Sequence, residues 1–226
     1  MPTAVIVDAV RTPLGRFGGG LLEHSAADLA THVLKALIER NQVPLDQVDE
    51  VYLGQVIQAG SSINVARVAA LRAGLPVGVT AHTLNIACAS GMKSIAQARE
   101  QILLGEGSLY LAGGTESMSN VPFFVRQMRW GHKLGNAEMT DGVMDGLTCS
   151  VTGMGMGLTA EEIASRTGIT RQEMDAWALR SQERAAAAIA AGTFTAEIVP
   201  VPRKKDEPLA VDEHPRATSL EALGGL

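Results

Sequence analysis

The residues Asn85-Ile86-Ala87-Cys88-Ala89-Ser90-Gly91-Met92-Lys93 put a thiol between an apolar run and the first turn of a helical segment. At a helix N-terminus the unpaired backbone N–H groups and the positive end of the dipole favour a thiolate over a thiol. Ala89, Ser90 and Gly91 are small enough to let an acyl group reach the sulfur, and Gly91 can take the strained turn of an exposed nucleophile. The chemistry this spacing supports is nucleophilic acyl transfer through Cys88. A structural cysteine packed in a tight turn is the other reading of the same residues, and spacing alone leaves both open. The second cysteine, Cys149, is followed by Ser150-Val151 and reads as a loop or core thiol. Gly15-Arg16-Phe17-Gly18-Gly19-Gly20 has neither the Gly-Lys-Ser/Thr of a phosphate loop nor the spacing of a dinucleotide turn, so it reads as a flexible surface loop.

A thiol at such a turn needs a strand before it and a helix after it. Residues 4–10, 48–56, 82–87 and 108–114 read as strands from their apolar and β-branched content. Between them, Ser25 is a good N-cap for a helix with Asp28 at its third position and Leu29, Val33, Leu34, Leu37 and Ile38 on one face, ending near Asn41. Residues 64–71 and 91–104 read as the next two helices. Strand and helix therefore alternate, which implies parallel strands with helices layered on the sheet, an α/β domain. The pattern changes after Thr115. Residues 118–158 are rich in Met and Gly, contain Arg126, Arg129, Trp130, His132 and Lys133, and form a long excursion with little periodicity. Thr159 is expected to open a helix through Thr159-Ala160-Glu161-Glu162, and Thr170-Arg171-Gln172-Glu173 to open another that runs to Gly192. From Val199 the prolines at 200, 202, 208 and 215 predict an extended surface segment.

The 226 residues are 46% hydrophobic, 19% charged and 4% aromatic, a balance that excludes disorder. Two cysteines cannot staple a chain of this size. A net charge of −5 argues against a nucleic-acid partner. No run of 18 or more apolar residues predicts a membrane span, and no secretory leader is read at the start, so the expected location is cytoplasmic.

Five segments resemble, in the right order, motifs of the thiolases, and together they span essentially the whole chain. Cys88-Ala89-Ser90-Gly91-Met92-Lys93, with Asn85 before it, is similar to their nucleophile motif. Ala112-Gly113-Gly114-Thr115-Glu116-Ser117-Met118-Ser119-Asn120 resembles a glycine-containing strand end and its turn. Asp8-Ala9-Val10-Arg11-Thr12-Pro13 with Gly15 and Gly18 looks like their opening strand and loop, and Asn64-Val65-Ala66-Arg67 like the helix approaching the site. Asp145-Gly146-Leu147 and Met156-Gly157-Leu158-Thr159-Ala160-Glu161 resemble the segment that contacts coenzyme A.

The resemblance implies a thiolase-like layered α/β fold, with residues 1–117 as an incomplete N-terminal domain lacking its last strand and helix. Residues 118–226 are then an inserted loop domain for coenzyme A contact and tetramerisation. It implies Cys88 as the acyl-accepting nucleophile, Leu147 and Met156 along the pantetheine and acyl channel, and Arg203 near the nucleotide phosphates. The implied reaction is a reversible Claisen exchange, two acetyl-CoA to acetoacetyl-CoA and CoA, in a dimer or tetramer, with coenzyme A thioesters as substrates and no metal or redox cofactor. The family's Gly-His-Pro and Cys-Gly-Gly motifs are absent from these residues: none of His24, His32, His82, His132 and His214 lies in the first, and Cys149 is not in the second. The expectation is therefore the N-terminal portion of such an enzyme, inactive alone. Gly155 stands where acetoacetyl-type members often carry His, which keeps a broad-chain 3-ketoacyl-CoA thiolase as an alternative. Glu116-Ser117-Met118-Ser119-Asn120-Val121-Pro122 looks most like the acetyl-CoA acetyltransferases. A non-catalytic remnant that binds CoA or a partner, and a ketoacyl-synthase-type condensing enzyme, are the other readings.

Overall fold

The computed structural model describes residues 3–226. Helix α1 (Ala26–Asn41) starts at a reciprocal cap, in which the Asp28 N–H donates to Ser25 Oγ and the Ser25 N–H to the Asp28 carboxylate. Gln42, in the left-handed conformation, ends it. Strand β1 (Glu50–Gly54) follows, then α2 (Val65–Arg72), whose N-cap Asn64 accepts from the Arg67 N–H at 3.0 Å. Strand β2 (Thr80–Leu84), α3 (Ser90–Leu104) and β3 (Tyr110–Gly114) complete the alternating part.

The three strands form a parallel sheet in the order β2-β1-β3, with Glu50 opposite both Thr80 and Tyr110. Val51 and Leu53 of the central strand join Leu34, Ile38, Ala69 and Leu111 in the core. Ala66, Ala69 and Ala70 are completely buried, and their small side chains let α2 lie close to both α1 and the sheet. Helix α3 packs on β1 and β3, where the Ser94 hydroxyl donates to the Gly113 carbonyl at 2.7 Å.

The expected strand over residues 4–10 is not in this sheet. The segment has no ladder partner until Arg11 bridges Ile198, and Val5, Ile6 and Val7 are 71%, 76% and 80% exposed. β-branched content favours an extended backbone, but a strand also needs a neighbour, and no described segment lies alongside these residues as one.

The excursion contains short elements only: β4 (Phe123–Phe124) pairs antiparallel with β5 (Thr140–Asp141), and α4 (Gly142–Gly146) follows. Helix α5 (Met156–Thr167) begins three residues before the expected Thr159, with Gly155 as N-cap; the Thr159 hydroxyl bonds the Met156 carbonyl instead of capping. Helix α6 (Arg171–Ala190) begins at the expected Thr170–Glu173 capping box, and α7 (Leu220–Gly224) lies near the end of the chain. No described helix is long and apolar enough to cross a membrane.

The last stretch, expected as an extended surface segment, is bonded to the opening residues as a strap. The Arg11 N–H donates to the Glu197 carbonyl and the Val199 N–H to the Arg11 carbonyl, both at 2.8 Å, and Val201 is 1% exposed. The Arg11 guanidinium grips Asp212 through two nitrogens at 2.7 and 3.0 Å. The glycine loop is held too, because the Glu213 carboxylate accepts from the N–H groups of Arg16 and Gly20. A loop read as flexible from its glycines is thus fixed around an internal anion.

Arg11 holds the Asp212 carboxyl below the usual carboxylate range, with the Leu14 N–H adding to the effect against burial. A depressed folded-state pKa stabilises the fold above the unfolded value near pH ~4, and this stabilisation disappears as the pH falls through the folded value. Urea unfolding of Asp212→Asn at neutral pH is expected to show a loss of about 1–3 kcal/mol, and the difference from the unsubstituted protein should close in strong acid.

Candidate active site

The C-terminal ends of parallel strands gather backbone groups at one edge, the usual place for a ligand in such sheets. Here that edge is occupied by the turn carrying Cys88. Ala87 has a left-handed backbone, φ +57°, which costs a residue with a Cβ roughly 1–2 kcal/mol. Local bonds enforce it: the Ala87 N–H donates to Asn85 Oδ1 at 2.9 Å, and its carbonyl accepts from both the Ser90 hydroxyl and the Ser90 N–H. The strain expected of Gly91 therefore falls on Ala87, and Gly91 is an ordinary helical residue inside α3.

Cys88 is exposed, one residue before the N-cap Ala89 of α3. No side chain caps this helix end, and its first turn carries no acidic residue, so its positive end is not neutralised locally. The turn can lie on the sheet because two strands end in glycine. A Cβ on Gly54 would come within 2.6 Å of the Gly91 nitrogen, and one on Gly114 within 3.2 Å of the Gly91 Cα.

Behind the turn lie residues 55–57, which follow the end of β1 on the way to α2. The Val56 carbonyl accepts from Asn85 Nδ2 at 2.9 Å. The Val56 and Ile57 N–H groups both donate to Glu116 Oε2, at 2.8 and 3.4 Å. Ile57 is buried against Gly146, where a Cβ would meet its side chain at 2.9 Å. Burial pushes the Glu116 carboxyl above its ordinary pKa, and the two N–H donors oppose that shift.

The other residues singled out from the sequence are placed unevenly. Leu147 and Met156 are brought together: the Met156 N–H donates to the Leu147 carbonyl at 2.9 Å, and Thr148 bridges Gly155. Their link to the Cys88 turn runs through Gly146 and Ile57. Arg203 lies in the turn between Val201 and Leu209, where its Nε donates to the Glu207 carbonyl at 2.7 Å and its guanidinium faces Asp206. Cys149 sits half-buried in a loop, and the Thr152 hydroxyl with the N–H groups of Thr152 and Val151 lowers its thiol pKa below the ordinary value. Two shallow hollows, of about 290 and 200 Å³, lie beside α6 at His214 and between α1 and Pro202, and Cys88 lines neither.

Asn85 and Glu116 lie within the motifs of the sequence, which give neither a task. The available signal was a carboxylate just beyond the Gly-Gly end of one strand, in a sheet whose neighbouring strand also ends in glycine. The glycine contacts give a direct test. Gly54→Ala is expected to lose about 1–3 kcal/mol because backbone must move, whereas Gly91→Ala, with 3.9 Å to its nearest new neighbours, should leave the thermal midpoint unchanged or higher.

Residues 4–226 match the family described as Thiolase, N-terminal domain. The acetyl-CoA acetyltransferase of Escherichia coli (strain K12) is 47% identical over 232 residues, covering 100% of this chain and 59% of that protein. The acetyl-CoA acetyltransferase of Chromobacterium violaceum is 48% identical over 210 residues, covering 92% of this chain and 54% of its own length. The crystal structure of the Bacillus anthracis acetyl-CoA acetyltransferase superposes with a TM-score of 0.94 at 42% identity, over 98% of this chain and 57% of that one. The chain thus spans somewhat more than half the length of these relatives. An α/β scaffold of parallel strands that carries a cysteine turn at its C-terminal edge, matched from residue 4 to residue 226, places this chain in the thiolase family, as its N-terminal domain.

Proposed function

We propose that this chain supplies the acyl-accepting half of an acetyl-CoA acetyltransferase, with Cys88 as the nucleophile. The observation that carries the reading is the exposed Cys88 held at an uncapped helix N-terminus over the ends of three parallel strands. The names of the relatives supply the acyl donor, acetyl-CoA.

In the first step the Cys88 thiol gives up its proton, and its sulfur bonds the acetyl carbonyl carbon. The bond from that carbon to the coenzyme A sulfur breaks, and coenzyme A leaves as the thiol after taking up a proton. The N–H groups at the start of α3 provide positive potential for the negative charge carried through the exchange. In the second step the α-carbon of another acetyl-CoA, having lost a proton, attacks the acetyl group on Cys88. The Cys88 sulfur leaves, and acetoacetyl-CoA is released. Read backwards, the same steps are thiolysis. Carbon–carbon bond formation needs a base for the α-carbon. Neither Gly-His-Pro nor Cys-Gly-Gly occurs in the 226 residues, so acylation without full turnover is the proposed capacity of this chain alone.

In this reading Leu147 and Met156 border the pantetheine arm, and residues 118–226 serve as the loop domain that meets coenzyme A and other subunits. Arg203 reaches the nucleotide phosphates only by leaving Glu207 and Asp206. Coenzyme A thioesters are substrates here, with no resident cofactor. Cleavage of longer 3-ketoacyl-CoA substrates is the second reading, favoured by Gly155 at the start of α5.

Because hydrogen bonds from Thr152 and Val151 lower the Cys149 thiol pKa, Cys149 can also react with an alkylating agent; transfer from acetyl-CoA discriminates between the two thiols. Peptide mass mapping after incubation with acetyl-CoA should find one acetyl group on Cys88 and none on Cys149. Cys88→Ser should abolish thioester formation and Cys149→Ser should leave it intact. Acetyl found on Cys149, or on neither cysteine, would contradict the assignment.

A further inference from the structure

We propose that Glu116 is a positioning residue for Cys88, acting through the Val56 peptide, the Asn85 side chain and the Ala87 backbone. This rests on the reading of Cys88 as the nucleophile.

The connection is continuous. Glu116 Oε2 accepts the Val56 N–H at 2.8 Å and the Ile57 N–H at 3.4 Å. The carbonyl of the same Val56 accepts Asn85 Nδ2 at 2.9 Å. The amide oxygen of the same Asn85 accepts the Ala87 N–H at 2.9 Å. Ala87 then takes the left-handed backbone that immediately precedes Cys88. The Asn85 amide has no freedom to flip within this chain, because Nδ2 must donate to a carbonyl and Oδ1 must accept an N–H. Glu116 is itself held by its neighbour between the end of β1 and the start of α1: the Thr115 N–H donates to the Gly54 carbonyl at 3.0 Å, and its hydroxyl donates to the Ala26 carbonyl at 2.8 Å.

A second observation sets Glu116 apart from an ordinary loop anchor. Its other oxygen, Oε1, is buried with no donor, and so is Oε1 of the adjoining Gln55, a residue only 2% exposed. Buried acceptors without donors are costly and uncommon. One belongs to the carboxylate that grips the Val56 and Ile57 N–H groups, the other to the residue just before Val56. The carboxylate is half-buried, and burial works against its charge. What that arrangement secures is a charge-assisted grip on two consecutive N–H groups, stronger than a neutral acceptor gives. Ile57 of the same pair packs on Gly146, so Glu116 also ties the Cys88 turn to the segment carrying Leu147.

The test reads the position of the turn and the chemistry separately. Hydrogen exchange of backbone amides is measured in the unsubstituted protein, Glu116→Ala, Glu116→Gln, Asn85→Ala and the Glu116→Ala/Asn85→Ala pair. The proposal expects Glu116→Ala to speed exchange at Ala87 about 10-fold while Val51 in the central strand is unchanged, and Glu116→Gln, which keeps an acceptor oxygen, to stay within about threefold. Asn85→Ala should match Glu116→Ala, and the double substitution should add nothing, because both cut one chain of bonds. The rate of acetyl transfer from acetyl-CoA to Cys88 should fall in parallel, about 10-fold, with the half-saturating acetyl-CoA concentration unchanged. Unaltered exchange at Ala87, equal acceleration at Val51, or multiplying effects in the double variant overturns the proposal. An unsubstituted protein that acquires no acetyl group overturns the nucleophile reading instead, and exchange at Ala87 still decides the role of Glu116.

Discussion

The first turn of α3 rests directly on the ends of β1 and β3, and the site exists because backbone meets backbone there. Gly54 and Gly114 face each other in the parallel register, with Gly91 against both. Any side chain on Gly54 would push the helix off the sheet and carry Cys88 with it. The same contact explains the small residues along the inner side of α3, where Ser90, Ser94 and Ala98 are buried. A low aromatic content and abundant glycine and alanine are what such close layers require.

Holding the helix close creates a second demand, because the chain must turn sharply from β2 into α3. The turn is stabilised from within by Ser90 and from outside by Asn85, and Asn85 in turn depends on residues 55–57. Fold and site are therefore one network of hydrogen bonds at the strand ends. The strap over residues 196–213 is a separate fastening, which locks the opening segment and the glycine loop through Asp212 and Glu213. The two meet at residues 115–120, where Ser119 accepts from the Gly18 N–H and the Ser117 hydroxyl donates to the His24 carbonyl.

What could be read from the sequence follows how local each cause is. The caps at Ser25 and Thr170 involve residues three apart, and both were legible. Cys88 at the start of a helix was legible for the same reason, as was the alternation that makes the sheet parallel. The opening strand was not, because β-branched residues announce an extended backbone without saying whether a neighbour exists. The glycine loop was misread because its partner Glu213 lies 193 residues beyond Gly20. Strain was assigned to Gly91 on residue type, yet Ala87 bears it, since hydrogen bonds from Asn85 and Ser90 outweigh the intrinsic preference of alanine. The Met156 N–H meets the Leu147 carbonyl, a contact between two separate motifs, whereas the guanidinium of Arg203 is engaged within its own turn.

The central claim is that Cys88 forms a thioester by displacing coenzyme A. The release of free coenzyme A thiol after rapid mixing with excess acetyl-CoA tests it most directly. The account predicts a burst of one equivalent per chain, absent in Cys88→Ser and retained in Cys149→Ser. No burst, or a burst that survives Cys88→Ser, would contradict it.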